Sequence, residues 1–108
     1  MNELGSLRRL DAFVAVADEL HFGRAATRLH IAQPALSQQI GNLEKELGAR
    51  LFIRGRRETR LTAAGESLLP RAQALLADAE AARAAVADVA ELRAGRLIVA
   101  AIPALGGG

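Results

Sequence analysis

The sequence contains no cysteine, tryptophan or tyrosine, and only three of its 108 residues are phenylalanine. The absence of cysteine excludes disulfide bonds, thiolate zinc sites and a cysteine nucleophile, and two histidines are too few for a multi-histidine metal site within one chain. The core must therefore consist mainly of aliphatic residues. Because a chain of this length buries only about two-thirds of its unfolded surface, association with a second copy would add stability.

Long apolar runs and the usual components of active sites are also missing. No stretch of about 20 apolar residues could span a membrane, and the N-terminus has no hydrophobic region of the signal-peptide kind. We therefore expect a cytoplasmic protein that makes no membrane contact. The sequence offers no cofactor-binding glycine loop, no nucleophile–base pair and no metal cluster, so we predict no catalytic residues, no metal, no cofactor and no enzymatic activity.

The charge is distributed unevenly, although the net charge is only +2. Between residues 21 and 62, eight basic side chains stand against three acidic ones, a net charge of +5. Between residues 63 and 92, two basic side chains stand against five acidic ones, a net charge of −3. The first of these segments alone should attract a polyanion.

The stretch FGRAATRLHIAQPALSQQIGNLEKELG, residues 22–48, predicts two helices joined by a tight turn. The first, about 23–29, directs three apolar residues inward, namely Ala25, Ala26 and Leu29. The second, about 34–47, has one apolar stripe with steps of four, three and four: Leu36, Ile40, Leu43 and Leu47. An earlier helix over residues 7–20, with Ser6 as its N-cap, has a similar apolar face: Leu10, Phe13, Val14 and Ala17. We interpret Phe13 and Phe22 as packing residues.

The helix predicted over about 34–47 has a polar, uncharged face near its N-terminal end, formed by Gln33, Ser37, Gln38 and Asn42. Amides and hydroxyls offer donors and acceptors that suit base edges in a major groove, whereas an ordinary solvated face is richer in Glu and Lys. Pro34 suits the start of the helix, which is the part of a recognition helix that contacts bases. The alternative is a polar face in an all-α interaction module.

The segments LFIR, GRRETR and LTAAG then predict a short hairpin with its tip near residues 55–59. Leu51 and Ile53 alternate with Phe52 and Arg54, so one face should pack on the helices. The arginines at the tip suit phosphates and a narrow minor groove. A solvated charged loop is the alternative for this segment.

A long helix from Thr62, its predicted N-cap, should reach about residue 92, with a kink or local opening at Pro70. Its apolar positions follow a heptad spacing: Leu68, Ala72, Leu75, Ala79, Ala82, Val86 and Val89. We interpret these positions as a dimer seam. There are two alternatives: the long helix packs within the chain on the helix that contains Phe13, or it is solitary and exposed.

The segment FGRAATRLHIAQPALSQQIGNLEKELGARLF, with LTAAG at 61–65, resembles the N-terminal domain of LysR-type transcriptional regulators over about residues 7–92. The resemblance implies a mainly α fold: a winged helix-turn-helix, with three helices and a two-stranded wing, followed by a long dimerising linker helix. It implies a base-reading set: Gln33, Pro34, Ala35, Ser37 and Gln38. A second set is expected at the DNA backbone or minor groove, and Arg54 matches the family pattern best: Arg24, Arg28, Arg54, Arg56 and Arg57. Gly23 and Ala32 stand where the family often has Ser, so neither short helix has a hydroxyl N-cap.

The domains expected from this resemblance are a DNA-binding domain at 1–61, a linker helix at 62–94, and a remnant of the first effector-domain strand at 95–108. We expect this last segment to be disordered or to pair with another copy, and we expect no small-molecule ligand in this fragment. The expected partners are double-stranded DNA and a second copy bound through the linker helix, with a higher oligomer possible in the full-length protein. A non-DNA coiled-coil adaptor is the alternative function.

Overall fold

The computed structural model describes the backbone of residues 3–101 and the side chains of residues 7–94. Its elements are α1 (Glu3–Glu19), α2 (Phe22–Leu29), α3 (Gln33–Leu47), β1 (Phe52–Arg54), β2 (Thr59–Leu61) and α4 (Ala63–Ala101). The predicted fold class, a winged helix-turn-helix followed by a long helix, is confirmed. The chain divides into two compact units after Leu76. No helix in the described residues has an apolar stretch long enough to cross a bilayer.

Three phenylalanines form the centre of the first unit. The rings of Phe13 and Phe52 have centroids 5.3 Å apart, and Phe22 meets Phe52 edge-on at 5.9 Å. All three rings are buried, which confirms the packing role predicted for Phe13 and Phe22. The alternation predicted for the wing holds only in part, because Leu51 and Phe52 are both buried while Ile53 is 55% exposed. A ring at position 52 fills the space between α1 and α2, so the strand turns this residue inward.

Helix α1 begins one turn earlier than predicted, so Ser6 lies inside the helix and is not its N-cap. The residues between Glu3 and Ser6 include no proline, and the cost of about 1 kcal/mol for Gly5 does not stop the helical run from extending to Glu3. The predicted apolar face is confirmed: Phe13 and Ala17 are buried, and Leu10 and Val14 pack partly against the core. Residues Ala12, Ala15 and Val16 widen this buried face.

Helix α3 buries the predicted stripe except at its end. Leu36, Ile40 and Leu43 are buried, whereas Leu47 is 49% exposed, so the prediction was wrong at that position. Leu47 lies in the last turn, just before Gly48 ends the helix in the left-handed region with φ of 69°. The buried stripe therefore covers the first three turns of α3, and these turns are anchored on the core.

The wing is an antiparallel hairpin in which Phe52 pairs with Leu61 and Arg54 pairs with Thr59. The N–H of Gly55 donates to the carbonyl of Glu58 at 2.8 Å and closes the turn between the strands. Thr62 then caps α4 as predicted, because its hydroxyl oxygen accepts a hydrogen bond from the N–H of Gly65 at 3.1 Å. The same hydroxyl donates to the carbonyl of Arg50 at 2.6 Å, so the cap also joins α4 to the segment before β1.

Helix α4 includes Pro70 without a break in its helical run and extends to Ala101. The strand predicted from Arg96 is therefore wrong for residues 96–101, and residues 102–108 lie outside the described part of the chain. A lone strand would leave its backbone groups unpaired, whereas a helix satisfies them within the segment. That gain exceeds the cost of about 1 kcal/mol for Gly95 inside a helix.

The predicted dimer seam is not uniform along α4. In the first unit Ala72 is fully buried within the chain and Leu68 packs partly against the core, so the seam prediction was wrong at Ala72. These residues pack within the chain, which was one of the alternatives for this helix. Leu75 is 50% exposed. In the second unit Val86 is 71% exposed and Val89 54% exposed. The apolar positions after Ala72 therefore remain accessible to a partner.

Candidate nucleic-acid interface

The first turns of α3 present the predicted base-reading residues to solvent. Gln33, Pro34, Ala35 and Gln38 are exposed and Ser37 is half-buried, while Leu36 fixes the opposite side of the helix in the core. Helix α3 begins with Ala32 as an N-cap that makes no side-chain hydrogen bond, and proline lies in its first turn. The missing hydroxyl cap is thus confirmed for α3.

Helix α2 begins with a cap that was not predicted from the sequence. It starts at Phe22, and the Nδ1 atom of His21 accepts a hydrogen bond from the backbone N–H of Arg24 at 2.9 Å. A Cβ atom at Gly23 would come within 2.9 Å of the His21 ring, so glycine leaves room for the imidazole. Gly23 does lack a hydroxyl, as predicted, but a ring nitrogen takes its place. A polar residue immediately before the helix, with glycine two positions later, was the available signal.

Arg54 is the last residue of β1, and its side chain reaches from the wing to α3. Its guanidinium carbon lies 3.7 Å from the centroid of the Phe22 ring. Its Nη2 atom donates to the Oγ atom of Ser37 at 3.2 Å. The structure therefore brings one of the predicted backbone-binding arginines directly to one of the predicted base-reading residues, which are 17 positions apart in the chain.

The turn of the wing carries Arg56 and Arg57, both exposed. Together with Arg54 they line an open groove of about 300 Å³, whose other wall includes His21 and Gln33. Among the described side chains, none of these three arginines forms an ion pair with a carboxylate within 4.0 Å, so their charge is available to an anionic partner.

Arg24 and Arg28 have different surroundings, because both lie against acidic residues at the end of α1. Arg28 contacts Asp18 at 3.1 Å and Glu19 at 3.5 Å, and its hydrogen bond to Asp18 raises the pKa of its guanidinium above the ordinary value. Arg24 donates to the carbonyl of Glu19 at 3.3 Å and lies 3.8 Å from its carboxylate. The paired acids reduce the positive field that these two arginines offer to a phosphate.

Glu44, in the later turns of α3, connects this helix to the segment just before β1. Its carboxylate accepts a hydrogen bond from the N–H of Leu51 at 2.7 Å and lies 3.4 Å from the Nε atom of Arg50. Although Glu44 belongs to the charged later turns of α3, its side chain is only 15% exposed. The wing is thus attached to α3 through Glu44 as well as through Arg54.

These features define the chain's described part as a winged helix-turn-helix domain. Residues 7–66 match the family model described as "Bacterial regulatory helix-turn-helix protein, lysR family". The chain therefore belongs to the LysR family of bacterial regulators and carries the DNA-binding domain of that family. Its curated relatives in Escherichia coli K12 are named as transcriptional regulators rather than enzymes.

Comparison with individual proteins gives the same family. The uncharacterized HTH-type transcriptional regulator YnfL of Escherichia coli K12 is 52% identical over 94 residues, which cover 82% of this chain and 32% of YnfL. The structure of the BenM DNA-binding domain with catB site 1 DNA has a TM-score of 0.75 at 43% identity, covering 78% of this chain and 94% of that one. For the CbnR domain in complex with DNA the TM-score is 0.73 at 37% identity, covering 78% and 97%. The chain spans 27–32% of the length of three of its curated relatives, YnfL, ShiR and XapR.

Proposed function

We propose that this chain binds double-stranded DNA sequence-specifically, as the DNA-binding part of a LysR-type transcriptional regulator that acts as a dimer on a pseudo-palindromic operator. The observation that carries the proposal is the position of the wing relative to α3. The hydrogen bond from Arg54 to Ser37 joins the positively charged hairpin to the polar start of the recognition helix. Base-reading and phosphate-binding groups therefore occupy one continuous surface.

The exposed residues of α3 have the chemistry that base recognition needs. The amides of Gln33 and Gln38 each present a donor and an acceptor, which match the N6 and N7 atoms of adenine in the major groove. Pro34 and Ala35 offer apolar contact to a thymine methyl group. We propose that these four residues and Ser37 read the operator.

The arginines of the wing supply attraction that does not depend on sequence. Arg56 and Arg57 are exposed and form no ion pair within 4.0 Å among the described side chains, so we assign them to phosphates or the minor groove. Arg24 and Arg28 also belong to the proposed backbone set, with a smaller contribution because Asp18 and Glu19 offset their charge. The similar BenM domain forms a complex with catB site 1 DNA, which supports duplex DNA as the partner class here.

The apolar heptad positions of α4 support the dimer. Val86 and Val89 are exposed in the single chain, and the alanines at 79 and 82 would let a second helix approach closely. A pair of α4 helices on a two-fold axis would present two recognition helices to two half-sites, which predicts a pseudo-palindromic operator. We propose that the full-length regulator forms the same two-fold dimer. We also propose that it acts in the cytoplasm and that its dimers can associate further.

A mobility-shift titration tests this function. The chain should shift random-sequence duplex at low salt, and selection from a random DNA pool should then yield an inverted repeat bound with higher affinity. A non-DNA coiled-coil adaptor would shift no duplex even at low salt, and that result would contradict the proposal.

A further inference from the structure

The side chain of Arg54 is held in place by the core of the domain. Arg54 ends β1, where it pairs with the buried Thr59 of β2. Its guanidinium lies over Phe22, which is 6% exposed and packs edge-on against Phe52. A cation above a fixed aromatic face is an attractive and directional contact. The guanidinium therefore has a defined position from which it contacts Ser37.

The chemistry of the two groups fixes the direction of the hydrogen bond between them. A guanidinium is only a donor, so the Oγ atom of Ser37 must accept. A hydroxyl has a single proton, and Arg54 cannot take it. In helices such a proton often goes to the carbonyl four residues earlier, as Thr27 does to Gly23 at 3.1 Å in α2. Within the described residues Ser37 donates no such bond, which leaves its proton available to an outside acceptor.

We propose that Arg54 is a positioning residue that commits the Ser37 hydroxyl to donating a hydrogen bond to an acceptor atom of DNA. The acceptor is a phosphate oxygen or a major-groove atom such as N7 of a purine or O4 of thymine. This role differs from the direct contact with the DNA backbone or minor groove that the family resemblance implies for Arg54. The proposal rests on the proposed binding of duplex DNA and assigns how Ser37 takes part in it.

A double-mutant cycle on the selected operator tests the coupling. Ser37→Ala and Arg54→Ala should each weaken binding by about tenfold, and the double variant should lose about ten- to thirtyfold rather than about a hundredfold. Once the hydroxyl is absent, Arg54 retains only its general attraction for DNA. The matched control is the cycle of Ser37→Ala with Arg57→Ala, in which the two losses should multiply. Multiplication in the Arg54 cycle as well would overturn the proposal.

Arg54→Met guards against a folding defect in the alanine variant. Methionine can still pack on the Phe22 ring but cannot donate to Ser37. Arg54→Met should therefore lose the energetic coupling between positions 54 and 37 in DNA binding, while its thermal midpoint stays near that of the unmodified chain. Two results together would also overturn the proposal. They are cooperative unfolding of Arg54→Met at an unchanged midpoint, and a loss of affinity from Arg54→Met that is as large in the Ser37→Ala background as in the unmodified chain.

Operator point variants identify the acceptor. If Ser37 donates to a base, Ser37→Ala should flatten discrimination at one base pair, and Arg54→Met should flatten it at the same base pair. If Ser37 donates to a phosphate, both variants should weaken binding equally on every sequence. Different patterns for the two variants would contradict the proposal. Absence of any duplex binding by the unmodified chain would instead refute the proposed function.

Discussion

The imidazole of His21 caps helix α2 by accepting a hydrogen bond at Nδ1 from the backbone N–H of Arg24 at 2.9 Å. Only the neutral ring with its hydrogen on Nε2 can accept at this atom. The cap fixes the start of the helix that carries Phe22 and hence the ring beneath the Arg54 guanidinium. His21 thus helps to place the wing.

Replacing His21 with alanine should lower the free energy of unfolding by about 1 kcal/mol, because the N–H of Arg24 loses its acceptor. His21→Ser should retain most of the stability, since a serine hydroxyl also caps a helix. Urea denaturation of the three proteins measures the difference. Equal losses for the serine and alanine variants would show that the ring contributes through packing and not through the cap.

Close packing against the wing requires glycine at position 65. A Cβ atom at this position would collide with the carbonyl oxygen of Leu51, because the start of α4 passes directly against the wing. Gly65→Ala should therefore destabilise the chain by about 1–3 kcal/mol through overpacking. The matched control is Gly41→Ala in α3, where no atom lies within 4 Å of the added methyl. That variant should gain up to about 1 kcal/mol from helix propensity. A neutral result for Gly65→Ala in chemical denaturation would contradict the close packing.

The sequence was sufficient to predict the helices and the hairpin, because apolar spacing and turn residues are local signals. The buried stripe from Leu36 to Leu43 and the cap at Thr62 are examples. The side of the wing that enters the core could not be read in this way. Leu51, Phe52 and Ile53 are all apolar, so alternation alone does not decide between Phe52 and Ile53.

The candidate site was predictable as a set of residue types but not as a set of partners. By residue type alone, the arginines at positions 24, 28, 54, 56 and 57 look equivalent. Only the fold brings Asp18 to Arg28 and Ser37 to Arg54, because these contacts join separate elements. The same limit explains Ala72, whose heptad position gives no indication that the core of the chain already buries it.

The surroundings of the arginines predict different salt dependences of DNA binding. Arg57→Ala should reduce the magnitude of the log–log salt slope by about 0.9, the value for one phosphate contact. Arg28→Ala should change the slope less, since Asp18 and Glu19 already offset that charge. Titrations of a fluorescent duplex at several salt concentrations give the slopes. A larger change for Arg28→Ala than for Arg57→Ala would contradict the proposed roles.

The exposed heptad positions predict self-association through α4. Val86→Asp should dissociate dimers, because a charge would be buried without a partner. Sedimentation equilibrium should show monomer for this variant and dimer for the unmodified chain at about tens of micromolar, the range of a weak dimer. Ala84→Asp is the matched control, because it adds the same charge at an exposed position outside the heptad seam. Dissociation by both variants, or a monomeric unmodified chain, would contradict the dimer.

The most direct test of base reading uses Gln33 at the start of α3. Duplexes with single base-pair changes in the selected operator compete for the unmodified chain and for Gln33→Ala. If the Gln33 amide reads an adenine, the variant should lose about 1–3 kcal/mol on the preferred operator and much less on duplexes changed at that base pair. Its salt slope should stay nearly constant, because no phosphate contact is removed. Equal weakening on every duplex would contradict base reading by Gln33 and would assign this residue to the DNA backbone instead.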